Sequence, residues 1–193
     1  MKTRAIIFDC FGVLTTDVWR AFLDNLPAGT DTTEARRLNH AYDAGLISLQ
    51  DFLEGVQKAT GQKPTRVEEL LEGTGEVVKN TRLLEYITQL RGRGYKIGMI
   101  SNIATNWIRD TFLSAEEQAL FDHMLFSYEL GLTKPDPRIY RLACERLGVE
   151  PEEAIFIDDI DRYCAAAEAE GLGAIIYTDF GTVQSQLESL LTA

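Results

Sequence analysis

Four short segments of this chain carry side chains able to do chemistry together. Asp9 closes the apolar run Ala5-Ile6-Ile7-Phe8 and leads into Cys10-Phe11-Gly12-Val13-Leu14-Thr15. A carboxylate that a buried strand delivers into a glycine-containing turn sits at the strand's carboxyl end, where open α/β sheets bind ligands. Ser101-Asn102 follows a second apolar run, Tyr95 to Ile100. Lys134 stands in the loop Leu132-Thr133-Lys134-Pro135-Asp136-Pro137, after the short run Met124-Leu125-Phe126-Ser127, and the pair Asp158-Asp159 ends Ala154-Ile155-Phe156-Ile157. Each group has an ordinary reading by itself: an acid capping a turn, a serine capping a helix, a solvated lysine. Acid, hydroxyl, amine and paired acids, each following its own apolar run, together form the layout of an assembled active site.

The groups define a chemistry. A carboxylate is a competent nucleophile toward phosphorus, so attack by Asp9 would split ester hydrolysis into formation and breakdown of an aspartyl-phosphate. Two anions must then approach each other. Mg²⁺ bridges such a pair, and Asp9, Asp158 and Asp159 are hard oxygen ligands of the right kind. Ser101 would donate to a phosphoryl oxygen and Lys134 would neutralise charge that shifts during transfer. Adjacent Asp158 and Asp159 repel, which favours either a cation beside them or a raised pKa for one of them; the cation is the expectation.

The elements that must position these groups are legible around them. Buried strands alternating with helices predict an α/β fold built on a doubly wound parallel sheet. From about Asp17 to Asn80 no strand pattern occurs. Apolar residues there recur at helical spacing, through Val18, Phe22 and Leu26 and again through Phe52, Leu53 and Val56. The expectation is a small all-helical cap, residues 17–80, inserted after the first strand into a core formed by 1–16 and 81–193. Its breaks fall at Pro27-Ala28-Gly29 and Ala44-Gly45-Leu46-Ile47; Ser48, with Asp51 beside it, starts a third helix, and Gln62-Lys63-Pro64-Thr65 starts a fourth. Asp136-Pro137 opens a helix that Gly148 closes.

This ordered set resembles the haloacid dehalogenase-like hydrolase superfamily, with all four of its motifs in order over essentially the whole chain. The resemblance implies a parallel sheet of about five or more strands wrapped by helices, a small cap after the first motif, and Mg²⁺ as cofactor. It also implies that the backbone carbonyl of Phe11 completes the protein's share of the metal coordination. The chain departs from the superfamily's commonest pattern at Phe11, where a second acid usually protonates the leaving group. A phenyl ring transfers no protons, so that contribution, about 10²- to 10⁴-fold in rate, is absent or comes from elsewhere.

Three readings follow. The first is a Mg²⁺-dependent phosphatase of small esters, similar to sugar-phosphate phosphatases of the superfamily that lack the second acid. The second is a metal-independent 2-haloacid dehalogenase, in which Asp9 would attack carbon and expel halide. That branch resembles this chain in carrying an aromatic residue at the Phe11 position, but it has Ser and Asn where Asp158-Asp159 stand. The paired carboxylates decide for the phosphatase. The third is a binding or regulatory protein with weak turnover, against which the retention of Asp9, Ser101, Lys134, Asp158 and Asp159 speaks. Many relatives also carry Asn or Asp where Tyr163 stands; packing is the expectation for Tyr163, and Asp161 is a candidate for the orienting role or for a helix N-cap.

Substrate choice is expected from the cap and its approach. Thr16, Asp17 and Trp19 leave the first motif toward the cap, Asn102 adjoins Ser101, and Arg36 and Arg37 lie further on. A cap this small suits a small phosphorylated metabolite. The net charge of −11 repels nucleic acid and anionic membranes, and no apolar run reaches membrane-spanning length. With 45% hydrophobic and 25% charged residues the expectation is a cytoplasmic globular protein. Cys10, Cys144 and Cys164 are odd in number and expected reduced; Cys10 should point away from Asp9 if the strand pleat persists. His40 and His123 have no spaced partners, and packing or surface roles are expected for both.

Overall fold

The computed structural model describes residues 2–72 and 77–192. Five strands, β1 (Ala5–Phe8), β2 (Lys96–Ser101), β3 (His123–Phe126), β4 (Ala154–Asp158) and β5 (Gly173–Ile176), form one sheet in the order β3-β2-β1-β4-β5. Every pairing is parallel, with Phe8 beside Met99 on one side and Ile157 on the other. A parallel sheet is covered on both faces, so its central strands are apolar at every position, as the fully buried Ala5–Phe8 shows. Alternation within the strand divides its side chains between two cores. Ile6 and Phe8 join Leu83, Leu90 and Ile157 on one face, while Ala5 and Ile7 join Ile139, Tyr140 and Phe156 on the other. Cys10 is buried in the first of these cores.

The covering helices are α5 (Thr81–Gly92), α8 (Pro137–Leu147), α9 (Asp161–Ala169) and α10 (Phe180–Thr192), with short helices α6 (Ala115–Gln118) and α7 (Ser127–Leu130) flanking β3. Asp136 caps α8 by accepting the Arg138 N–H, Pro137 is its first residue, and Gly148 ends it in the left-handed region at φ 67°.

Between β1 and α5, helices α1 (Val18–Asp24), α2 (Thr33–Asp43), α3 (Leu49–Thr60) and α4 (Pro64–Leu71) pack around an apolar cluster of their own that includes Phe22, Leu38, Phe52, Val56 and Val67. Ser48 and Asp51 form the expected reciprocal cap at the start of α3, and α4 begins at Pro64. Gly55 lets α2 and α3 approach closely, since a Cβ there would lie 2.6 Å from Leu38.

Several boundaries differ from the sequence reading. Helix α1 ends at Asp24, because the Asn25 side chain donates to the Ala21 carbonyl and closes the turn; Leu26 packs on the apolar cluster of α1 to α4 from the following turn. Ser127 begins α7 and does not belong to β3. Asp161 is the first residue of α9, whose N-cap is Ile160 with no side-chain cap, so the N-cap assignment is corrected. Strand β5 escapes a reading of apolar runs because it is a four-residue edge strand, largely open to solvent.

Candidate active site

The functional side chains lie at the carboxyl edge of the sheet, around β1, on either side of which the chain order of the strands runs in opposite directions. Asp9 is the residue after β1, Ser101 ends β2, Asp158 ends β4 with Asp159 following, and Lys134 comes from the loop between α7 and α8. Such edges are the natural ligand sites of doubly wound sheets. The Asp9 N–H donates to the Ile157 carbonyl at 2.9 Å, which continues the β1–β4 ladder by one residue and fixes the carboxylate's origin.

At the centre, the Lys134 ammonium lies 2.7 Å from Asp9 Oδ1 and 2.6 Å from Asp158 Oδ2, with all three groups buried. Its place is set from behind. The Asn102 side chain accepts from the Lys134 N–H at 2.8 Å and donates to the Lys134 carbonyl at 3.0 Å, so both faces of the amide hold that loop. The rings of Tyr163 and Phe156 lie 5.1 and 5.4 Å from the ammonium. Asp158 Oδ1 accepts the Ile160 N–H, which orients the first acid of the Asp158-Asp159 pair. Burial by itself would lower the Lys134 pKa, but Asp158 and Asp9 more than offset it and hold the ammonium protonated. Burial pushes the Asp9 carboxyl well up, against the pull of Lys134.

Buried polar atoms with no hydrogen-bond partner among the described residues gather at this edge. They are Thr15 Oγ1, Ser101 Oγ, Trp107 Nε1 and Asp159 Oδ1, from segments that end or follow β1, β2 and β4. An unpaired buried polar group costs about 1–3 kcal/mol, and two of these atoms, Ser101 Oγ and Asp159 Oδ1, belong to residues at the ends of β2 and β4 beside Asp9 and Asp158. One ligand oxygen from each of Asp9, Asp158 and Asp159 lies within 4.8 Å of the others. Three carboxylates with an unpartnered oxygen among them fit a hard divalent cation such as Mg²⁺. Burial raises the pKa of Asp159, and a divalent cation would reverse that direction.

A cavity of about 270 Å³ opens between this edge and helices α1 and α2. Asp9, Asn102, Lys134 and Tyr163 line it from below, and Trp19, Arg36, His40 and Asp43 from above. Trp19 lines the cavity while stacking on Phe22 at 5.3 Å. Thr16 does not line it: the residue is exposed and its hydroxyl accepts from the Val78 N–H at 3.3 Å. Arg37 pairs with Glu34 outside the cavity. His40, expected only to pack or to face solvent, lines the cavity with Nε2 3.2 Å from Thr133 Oγ1. The Phe11 ring stacks on Trp107 at 5.9 Å and lines the same space.

Two residues were not singled out from the sequence. Arg20 reaches down from α1 to Asp159 Oδ2 at 2.6 Å and is braced by Asp17 at 3.2 Å. Asp43, the last residue of α2, joins the cavity wall. Both look like ordinary solvated helix charges until the helices are packed over the sheet edge.

Comparison with known proteins agrees with this geometry. Residues 3–171 match the haloacid dehalogenase-like hydrolase family. The chain is 29% identical over 204 residues to mouse acyl-CoA dehydrogenase family member 10, covering 97% of itself but only 19% of that protein. It is 26% identical over 171 residues to (S)-2-haloacid dehalogenase 4A of Burkholderia cepacia, covering 80% of this chain and 74% of that one. A phosphatase of Mycobacterium tuberculosis is 28% identical over 192 residues, 91% of this chain and 88% of the other. Among solved structures, a haloacid dehalogenase family enzyme of Bacteroides thetaiotaomicron in complex with magnesium and inorganic phosphate superposes with a TM-score of 0.70 at 22% identity, covering 94% of this chain and 98% of that one. A family match across most of the chain, on a sheet whose carboxyl edge gathers the motifs in one place, makes this protein a member of the haloacid dehalogenase-like hydrolases.

Proposed function

We propose that the protein is a Mg²⁺-dependent phosphatase of small phosphate esters that works through an aspartyl-phosphate on Asp9. The observation that carries this reading is the buried Asp9–Lys134–Asp158 cluster with an unpartnered Ser101 hydroxyl and an unpartnered Asp159 oxygen beside it. The Asp9 carboxylate attacks phosphorus, the ester P–O bond breaks, and the leaving oxygen departs with the electron pair. Water then cleaves the acyl phosphate and returns Asp9 as a carboxylate. Ser101 donates to a phosphoryl oxygen, Lys134 holds Asp9 in place and offsets charge that moves during transfer, and Asn102 positions Lys134. Asp9, Asp158, Asp159 and the Phe11 carbonyl would hold Mg²⁺, whose contribution is to neutralise phosphate charge and orient the ester.

The helices of residues 17–80 act as the cap, and Trp19, Arg36 and His40 above the cavity choose the substrate. Its size suits a small phosphorylated metabolite. The phosphatase among the relatives and the magnesium and phosphate held by a structural neighbour support this reading. Free, buried cysteines fit the expected cytoplasmic setting.

The dehalogenase relative and the aromatic Phe11 favour the second reading, and one experiment separates the two. Hydrolysis of an activated aryl phosphate and of 2-chloropropionate is followed in parallel, each with Mg²⁺ and with EDTA. Phosphate release that EDTA abolishes is the expected result, and Asp9→Asn should reduce it to background with the fold intact. Chloride release indifferent to EDTA would instead make the protein a dehalogenase.

A further inference from the structure

Replacement of the usual second acid by Phe11 leaves the proposed reaction without a proton for its leaving group, and the cap wall offers one. Among the described residues, three acids line the cavity: Asp9, Asp17 and Asp43. Asp9 is the proposed nucleophile. Asp17 accepts the Arg20 N–H through Oδ1 at 2.9 Å and pairs with the Arg20 guanidinium through Oδ2, so both of its oxygens are engaged by Arg20. Asp43 differs. Its Oδ2 accepts from Asn39 Nδ2 at 2.8 Å, while Oδ1 makes no hydrogen bond among the described residues. Its backbone is anchored to the core, because Ser127 Oγ donates to the Asp43 carbonyl at 2.6 Å while accepting the Ile103 N–H at 2.8 Å. The end of α2 is thereby tied to the loop that follows Ser101, and the carboxyl takes a fixed place on the cavity wall.

We propose that Asp43 is the proton donor to the leaving group, supplied from the cap in place of the acid that Phe11 replaces. The inference rests on the phosphatase reading above. In the first half-reaction the P–O bond breaks as Asp9 attacks, the leaving oxygen takes the bonding electron pair, and the Asp43 carboxyl gives it a proton. In the second, the Asp43 carboxylate takes a proton from the water that attacks the acyl phosphate, which restores both groups.

The charge state agrees with the role. Burial and the nearby Asp17 push the Asp43 carboxyl up to about 8, so the group carries its proton at neutral pH. Among the described residues, the charged and titratable groups facing that space besides Asp43 are Asp9 after β1, Asp17 and Arg20 by α1, Arg36, His40 and Tyr42 from α2 itself, Lys134 from the core loop, and Arg162 and Tyr163 from α9. Arginine gives up no proton under these conditions, and Lys134 is occupied between Asp9 and Asp158. The competitors among the described residues are His40, with its ring turned toward Thr133, and the phenols of Tyr42 and Tyr163.

The test is the dependence of rate on the leaving group. Initial rates with Mg²⁺ are compared for 2,4-dinitrophenyl phosphate, whose leaving group needs no proton, and for glycerol 2-phosphate, whose leaving group does. Asp43→Asn keeps the shape and can still accept from Asn39. It should lose about 10²- to 10⁴-fold on the alkyl ester and less than about tenfold on the aryl ester. The wild-type rate on the alkyl ester should fall as pH rises through about 8; that limb should vanish in Asp43→Asn and return in Asp43→Glu. Equal losses on both esters, no loss on either, or the selective loss appearing in His40→Gln, Tyr42→Phe or Tyr163→Phe instead would overturn the role of Asp43 and leave the phosphatase standing. Absence of phosphate release from both esters by the wild-type protein would overturn the phosphatase reading and this inference with it.

Discussion

An ammonium fixed between two buried carboxylates, as Lys134 is between Asp9 and Asp158, makes each of the three groups depend on the others. Removing the cation leaves two like charges at buried positions, and breaking such a buried pair typically costs about 3–5 kcal/mol. Lys134→Met, which keeps the volume of the stem, should therefore lower unfolding free energy in urea by about that much, with Mg²⁺ recovering part of the loss. Asp43 works in the opposite sense. Its carboxyl titrates near 8 in the folded protein, far above the usual carboxylate range, so the native state keeps a proton that the unfolded chain has released. The contribution is fully present below about pH 4 and is lost as pH rises through about 8. Without metal, Asp43→Asn should melt at a higher temperature than wild type at pH 8.5, and the difference should fade as pH falls toward 4. Melting curves at both ends of that range decide it.

At the scale of elements, the turn after β1 has little freedom. Gly12 sits at φ 87°, and a Cβ there would come within 2.4 Å of the Asp159 carboxylate. Gly12→Ala should cost more than the roughly 1–2 kcal/mol of a left-handed residue, because the side chain also displaces a metal-ligand candidate, and Mg²⁺ affinity measured by calorimetry should fall with stability. Local signals of this kind read well from sequence: Ser48 with Asp51, Pro64 at the head of α4, and Asp136-Pro137 heading α8 each act within one helical turn. Leu26 misled because apolar spacing cannot reveal that the Asn25 side chain has already closed the turn. Strand β5 stayed hidden because an edge strand of Gly173 to Ile176 has no buried run long enough to announce it.

Over the whole molecule, the three carboxylates of Asp9, Asp158 and Asp159 are brought together by folding and are far apart in an unfolded chain. A cation that binds only the folded state stabilises it, by about 2.7 kcal/mol at one hundred times its dissociation constant. Saturating Mg²⁺ should raise the melting temperature by roughly 5–10 °C for a domain of this size, and Asp159→Asn should abolish most of that shift. An unchanged melting temperature in wild type would count against a cation at this site. The sequence by itself determined the sheet's central strands and the acid, hydroxyl and paired acids at their ends, because each is announced by a buried run that stops at polar side chains, and it placed the Lys134 amine in the loop that follows β3 and α7. Only the tertiary structure decided what surrounds them. Arg20 on Asp159 and Asp43 on the cavity wall depend on where helices α1 and α2 come to rest over the sheet, while Asn102 clamping Lys134 and Thr16 turned away to Val78 depend on how loops distant in the chain meet near its edge. That placement is fixed by packing between residues distant in the chain, such as Ser127 with Asp43 across 84 positions, and no local pattern encodes it.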